Sequence, residues 1–277
     1  MSLDLNRDPD VLGNVLHPGA PLWLNEYYAR HQKMVYEKLL SFLPPARAGA
    51  RALDVGCGAG RWCRLLTERG YQTTGIDLQQ ELVGLSRARY PESQFFCASV
   101  QDFAPEQPFD LVSCVTVIQH NPFSEQEAII RKLRTITNPG GHALVLENVR
   151  DQAPHVFANS IEEWQTKFER AGFESIAAIR YDYSIFSRLY KAFTRKLVST
   201  ARRSRSKDVG EHEHSPEVYE TEKLSDPRNY ALQSPLRLLD YGAKRLVVAV
   251  DGLLEPRLIL SNVPLPTVHC GLLFKAR

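Results

Sequence analysis

The residues with the most chemistry to offer lie between Ala52 and His120. Leu53-Asp54-Val55 is a short apolar run feeding Gly56-Cys57-Gly58-Ala59-Gly60, and Arg61-Trp62 opens a helix behind it. Gly56 and Gly58 permit a tight turn and close approach of a ligand to the backbone. Free N–H groups at the helix start add partial positive charge. The loop alone says little, because dinucleotide enzymes carry the related G-x-G-x-x-G. Asp54 says more: a carboxylate two residues before the first glycine would repel a pyrophosphate and suits a ligand that presents an ammonium group. Asp77 follows 23 residues after Asp54, where a carboxylate can accept hydrogen bonds from both hydroxyls of a ribose. Ser99-Val100-Gln101-Asp102 offers an apolar side chain for the face of an adenine and a polar one for its edge. Phe109–His120 is an apolar run that ends in Gln119-His120. Neutral histidine can take a proton from a hydroxyl or ammonium near pH 7. Cys57 reads as a small packing residue of the loop, not a nucleophile, and Trp62 reads as core.

These residues need a scaffold, and the periodicity supplies one. Strands are predicted at Ala52–Val55, Gln72–Ile76, Ser93–Cys97, Phe109–Val117 and His142–Glu147. Helices are predicted at Arg61–Arg69, Gln80–Tyr90 and Glu125–Thr137, with a turn at Asn138-Pro139-Gly140-Gly141. Alternation of strands with helices of this length predicts βαβ units and a mostly parallel sheet. A helix is expected before it, at Trp23–Leu43, and another after it, at Ser160–Ala171. Glu174–Tyr183 and His269–Lys275 read as two closing strands. In an open sheet of this kind, ligands bind at the carboxyl edge, near the switch in strand order.

The pieces LDVGCGAG, GID, SVQD, FDLVSCVTVIQH and NPGG stand in this order over roughly Ala52 to Val149. Together with the closing strands they resemble the class I S-adenosylmethionine-dependent methyltransferases. The resemblance implies an α/β fold: a Rossmann-like, seven-stranded, mostly parallel sheet with helices on both faces, whose strand seven runs antiparallel beside strand six. It implies an N-terminal helical cap (1–48), a methyltransferase core (49–183 plus 267–277) and a largely helical insertion (184–266) acting as substrate lid. S-adenosyl-L-methionine would be held by Asp54, Gly56, Cys57, Gly58, Gly60, Asp77, Leu78, Val100, Gln101, Val115 and Thr116. Asp54 would hold the amino group, directly or through water. Asp77 would take the ribose hydroxyls, and Leu78, Val100 and Gln101 would surround the adenine. Ser99 departs from the pattern, since many relatives carry an acid there. His120 would face the acceptor as general base; the competing reading is that it bonds the loop backbone, or that Gln119-His120 shapes the pocket. Tyr27, Tyr28 and Gln119 are candidate substrate contacts, against simple packing of the N-terminal helix.

The insertion changes character along its length. Phe186–Lys207 carries eight basic residues and no acid, with Phe186, Tyr190, Phe193 and Leu197 at helical spacing. Such a helix can lie on an anionic membrane or dock on the core by its stripe. Asp208–Glu222 carries six acids and reads as a loop, and Glu211–His214 reads as solvated linker rather than metal ligands. Pro235–Leu254 reads as a helix, with Pro256–Leu260 irregular or extended.

The 277 residues carry 34 basic and 32 acidic side chains, a balance that argues against a dedicated nucleic-acid binder. No Asn/Asp-Pro-Pro-aromatic tetrapeptide follows strand four, where Ile118-Gln119-His120-Asn121 stands. Five cysteines without CxxC spacing predict free thiols, no metal site and a cytoplasmic protein. Met1–Pro21 lacks a signal peptide's apolar stretch. The expectation is methyl transfer to a small-molecule, glycan or lipid-linked acceptor, at a hydroxyl rather than an amine, with no nucleic acid and with peripheral membrane contact through Phe186–Lys207. An N-methyltransferase, a dinucleotide-dependent oxidoreductase and a non-catalytic cofactor-binding module are the alternatives.

Overall fold

The computed structural model describes residues 22–150, 155–183, 185, 186, 189 and 235–277. The expectations for Met1–Pro21, most of Phe186–Lys207, Asp208–Glu222 and Glu211–His214 lie outside the described residues. Short runs of apolar and β-branched residues form β1 (Arg51–Val55), β2 (Gln72–Asp77), β3 (Gln94–Cys97), β4 (Phe109–Val115), β5 (Thr137–Asn148), β6 (Phe173–Tyr181) and β7 (His269–Ala276). Helices α1 (Leu22–Leu40), α2 (Arg61–Glu68), α3 (Gln80–Arg89), α4 (Phe123–Thr135), α5 (Ile161–Arg170) and α6 (Pro235–Ser261) complete the order. The seven-stranded sheet runs β3-β2-β1-β4-β5-β7-β6. β1 pairs in parallel with both β2 and β4, so the strand order reverses there and opens a crevice at their carboxyl ends. β7 is antiparallel to β5 and β6, as the resemblance implies.

Helices cover both faces, so the central strands are buried on both sides. On one face Ile129, Ile130 and Leu133 of α4 and Trp164 and Phe168 of α5 pack on Leu53, Val112, Val145 and Phe274. On the other, Val35, Tyr36 and Leu39 of α1 and Trp62, Leu65 and Leu66 of α2 pack on Leu111, Leu144, Leu146, Ile179 and Leu273. α1 comes close because β7 carries Gly271 at the contact: a Cβ there would stand 2.5 Å from Val35 Cγ1 and 2.9 Å from Leu39 Cδ1.

Three departures from the sequence reading have a tertiary cause. β4 stops at Val115, not Val117, because Thr116 turns to φ 55° and donates its N–H to Leu146 O at 2.7 Å. β5 begins at Thr137, so the expected Asn138–Gly141 turn is an irregularity inside the β4–β5 pairing, between Phe109↔Thr137 and Leu111↔His142. Asp110 stabilises it by accepting from Asn138 Nδ2 at 3.1 Å and from Arg51 N at 2.9 Å. Third, α6 runs unbroken through Pro256 to Ser261, where irregular chain was expected. Proline costs an interior helix about 3 kcal/mol. Here tertiary bonds offset it: Glu255 accepts from Tyr183 N at 2.8 Å, Asp251 from Phe186 N at 2.8 Å, and Lys38 Nζ donates to the terminal carbonyls of Ile259 and Leu260.

Candidate active site at the carboxyl edge of the sheet

The glycine loop sits at the reversal of strand order. Gly56, Gly58 and Gly60 have φ of 70°, 52° and 84°, values that side chains strain against. A Cβ on Gly56 would stand 2.3 Å from Val117 Cγ2, so the loop and the segment after β4 press together. Gly56 N and Cys57 N donate to Ile76 O, and Gly58 N donates to Asp77 Oδ2 at 2.9 Å. Cys57 is buried, and burial pushes its thiol well above the usual range, which fits packing and not nucleophilic attack.

Asp54 is 1% exposed, and its Oδ1 has no hydrogen-bond partner. Burial pushes its carboxyl up to about 7, with Ser113 and Arg61 pulling the other way. The buried Ser113 and Tyr36 hydroxyls also lack hydrogen bonds of ordinary geometry. A buried carboxylate with an unused oxygen beside a glycine loop fits a cationic ligand group, reached directly or through water.

Asp77 already accepts from Gly58 N and, at 2.9 Å, from Gln79 N. Each carboxylate oxygen keeps a further lone pair, so both roles are open to it: holding the loop and taking ribose hydroxyls. Leu78 is 73% exposed and Gln101 is exposed, while Val100 is buried. Those three follow β2 and β3, strands that lie next to each other. Ser99 Oγ donates to Asp102 Oδ2 at 2.6 Å and accepts Asp102 N, so Ser99 shapes the turn that carries Val100 and Gln101.

On the other side of the crevice, Val115 and Thr116 lead into a single 3-10 turn, Ile118–His120. A β-branched residue at positive φ is strained, and such strain concentrates at functional sites. Glu147, at the end of β5, holds this turn. Its Oε1 accepts Ile118 N at 3.0 Å and Val117 N at 3.4 Å, and its Oε2 accepts Gln119 N at 3.0 Å. Burial pushes Glu147 up to about 8, opposed by those three N–H groups. Gln119 is buried; its Oε1 accepts Asn148 N at 2.6 Å and braces β5, while its Nε2 lies 3.4 Å from His120 Nε2. His120 is exposed, and its Nδ1 lies 2.9 Å from His155 O. A carbonyl only accepts, so in the neutral ring Nδ1 carries the proton and Nε2 is the acceptor, met at 3.4 Å by the amide Nε2 of Gln119. The His155 ring stacks on it at 5.6 Å.

α1 approaches from above. Val35 and Leu39 meet β7 in mid-sheet, while Tyr27, three turns of helix before Leu39, donates to Glu255 Oε2 at 3.3 Å beside the exit of β6. The N-terminal half of α1 therefore stands over the carboxyl edge. Gln32 Oε1 accepts Arg61 Nη2 at 2.5 Å, and Tyr36 stacks on Trp62 at 4.2 Å, which ties α1 to the start of α2. Tyr27 is buried against Tyr28 and His31, and Tyr28 is half-buried. Sequence reasoning missed Glu147, Gln32 and Arg61. The signal for Glu147 was present: an acid ending a fully apolar strand needs partners.

Comparison with known proteins decides the family. A family model described as a methyltransferase domain matches residues 28–187, more than half of the chain. The chain belongs to the class I S-adenosylmethionine-dependent methyltransferases. A ubiquinone biosynthesis O-methyltransferase of Xanthomonas euvesicatoria pv. vesicatoria is 38% identical over 120 residues, 41% of this chain and 48% of that protein. One from Chromobacterium violaceum is 37% identical over 100 residues, 34% of this chain and 42% of that protein. The chain thus spans about half the length of the curated relatives it matches. Among solved structures, magnesium protoporphyrin IX methyltransferase of Synechocystis PCC 6803 with bound SAH has a TM-score of 0.51 at 15% identity, covering 61% of this chain and 85% of that one. The [4+2]-cyclase SpnF also scores 0.51, at 17% identity, covering 90% of this chain and 81% of that one. Both share the fold, and the second shows that the fold hosts more than one kind of reaction.

Proposed function

We propose that this protein transfers a methyl group from S-adenosylmethionine to a hydroxyl of a small-molecule acceptor. The observation that carries the reading is His120: its Nδ1 is anchored on His155 O, which makes its Nε2 the acceptor of the ring, met by Gln119 Nε2 at 3.4 Å, at the carboxyl edge close to Thr116. When bound, S-adenosylmethionine supplies a methyl group on a positively charged sulfur, open to in-line displacement. Asp77 holds the ribose hydroxyls, Leu78, Val100 and Gln101 the adenine, and the loop Gly56–Gly60 with Asp54 the methionine end. Gly56, Gly58 and Gly60 keep the backbone free of side chains, and Val115 and Thr116 border the reacting centre. His120 Nε2 accepts the proton of the acceptor hydroxyl. An alcohol is a poor nucleophile while protonated, so this is where a base helps; general-base assistance contributes typically ~10²–10⁴-fold. The O-methyltransferase name of the curated relatives supports oxygen over nitrogen.

A glycan or lipid-linked acceptor, and membrane contact through Phe186–Lys207, are extensions that rest on the sequence alone. Among the described residues no helix is long and apolar enough to cross a membrane. The five cysteines are free, which supports a reducing, cytoplasmic setting as part of the proposal. The test is transfer of label from S-adenosylmethionine into a lysate of the source cells, split into organic, aqueous and macromolecular fractions. Label is expected in a small-molecule fraction, and His120→Ala should lower the rate 100-fold or more while S-adenosylhomocysteine still binds. Full activity of His120→Ala would remove the base assignment. Label in macromolecules alone would remove the small-molecule reading.

A further inference from the structure

The chain leaves the sheet after β6 and re-enters it at β7, and an aspartate and a histidine meet at that junction. His269 Nδ1 lies 3.0 Å from Asp182 Oδ2, across 87 residues of sequence. A carboxylate only accepts, so in the neutral ring Nδ1 carries the proton and Nε2 is the acceptor. The His269 side chain makes no other hydrogen bond among the described residues. It is 14% exposed, against 5% for Asp182, so the ring reaches solvent while its anchor is enclosed. Both partners are held. Asp182 has φ 59°, a left-handed backbone that aspartate tolerates better than most residues. Its carbonyl accepts Val268 N at 3.2 Å, and the next residue, Tyr183, donates its N–H to Glu255 Oε1 at 2.8 Å. Tyr181 is buried and stacks on the His269 ring at 5.4 Å. An imidazole fixed through Nδ1–H by a carboxylate, with Nε2 unused, is oriented for a ligand.

Strand register sets where this ring stands. β7 runs antiparallel to β5, so its first residue lies at the carboxyl edge: His269 pairs with Asn148, the last residue of β5, and with Tyr181, the last of β6. Asn148 is two residues beyond Leu146, whose carbonyl accepts Thr116 N. From that bond to His269 is then roughly 7 Å along the sheet and about 5 Å across it, a span that one small molecule covers. Asn148 also links the two histidines of the edge. Its N–H donates to Gln119 Oε1 at 2.6 Å, and Gln119 Nε2 lies 3.4 Å from His120 Nε2. Val115, beside the reacting centre, and Tyr181, against the His269 ring, belong to one apolar cluster with α1.

We propose that His269 is an acceptor-binding residue, with Asp182 as the residue that positions it: Nε2 accepts a hydrogen bond from an O–H or N–H of the acceptor other than the hydroxyl that is methylated. The inference rests on the methyl-transfer reading and deepens it. An acceptor held at a second polar point presents one chosen hydroxyl to His120 and the methyl donor, and the strands that carry the two histidines fix the distance between those points.

The test separates a binding role from a structural one. His269→Asn sets an amide N–H where Nδ1–H stood, so the bond to Asp182 and the Tm are expected to hold while nothing replaces Nε2. KM for the acceptor, purified from small-molecule extract of the source cells, should rise about 10-fold or more, because a polar group of the acceptor is left unpaired. The loss in kcat should be smaller, and affinity for S-adenosylhomocysteine should stay at the wild-type value. His269→Gln carries a carbonyl oxygen out to the Nε2 position and should restore most of the KM. An unchanged KM in His269→Asn, or equal rises in the Asn and Gln variants, would overturn this inference alone. A fall in S-adenosylhomocysteine affinity that matches the rise in KM would make the pair a support of the whole crevice and overturn the inference as well. No transfer by the wild-type protein overturns the methyl-transfer reading and the His269 role with it.

Discussion

Glu147 does for the acceptor side of the crevice what Asp77 does for the donor side: a carboxylate collects backbone N–H groups and so fixes the loop that carries the chemistry. Three donors converge on its two oxygens, from Val117, Ile118 and Gln119. Glu147→Gln keeps the shape but sets an amide N–H against one of those donors. A buried donor left unpaired costs about 1–3 kcal/mol. The expected loss is roughly 2–12 °C in Tm at about 2–4 °C per kcal/mol. Because the turn positions His120, transfer should fall while affinity for S-adenosylhomocysteine holds. Thermal denaturation beside calorimetry separates the two, and equal loss of ligand affinity would show that Glu147 supports the whole crevice instead. Asp54 and Asp77 were readable from spacing, because glycines between two acids restrict what the acids can be for. Glu147 was not, because its role depends on β5 lying beside β4 and no local pattern encodes that neighbour.

Elements place these residues only if α1 lies flat on the sheet, and Gly271 makes that possible. Gly271→Ala adds one Cβ, 2.5 Å from Val35 Cγ1 and 2.9 Å from Leu39 Cδ1. Overpacking of this kind costs about 1–3 kcal/mol. Val35→Ala in the same chain removes the clashing methyl, so the double variant should recover part of the Tm lost by Gly271→Ala. Additive losses in denaturation curves would mean that α1 does not rest on this contact. The strands were legible because each is a short apolar run ended by turn residues. The end of β4, the irregularity in β5 and the passage of α6 through Pro256 were not. In each case a tertiary bond overrides local preference: Thr116 N to Leu146 O, Asp110 to Asn138, and Glu255 and Asp251 to the backbone after β6.

The whole molecule buries titratable groups at both ends of its sheet, and this sets its response to pH. Burial raises Asp54 from 3.8 to about 7 and Glu147 from 4.5 to about 8. Across that window the folded protein holds protons that the unfolded chain has lost, so these two groups make stability fall as pH rises. His31 is lowered from 6.5 to about 4, and His142 is lowered as well, by burial and then by Lys275. For these the unfolded chain holds the extra proton, so they make stability rise with pH up to about 6.5, the ordinary histidine value. Below that pH the two pairs oppose each other; above it only the carboxyls act. The ligand-free protein should therefore keep a nearly level Tm from pH 5 to 6.5 and lose several degrees by pH 8.5. Asp54→Asn should flatten that decline, since its side chain has no proton to lose. A ligand that sets an ammonium group against Asp54 favours the charged carboxylate, so S-adenosylhomocysteine should raise Tm more at pH 8 than at pH 6. Melting curves at four pH values, with and without ligand, check both parts. An undiminished decline in Asp54→Asn would assign the slope to other groups. An equal ligand shift at both pH values would detach Asp54 from the ligand's amino group and leave it a buried acid of the scaffold alone.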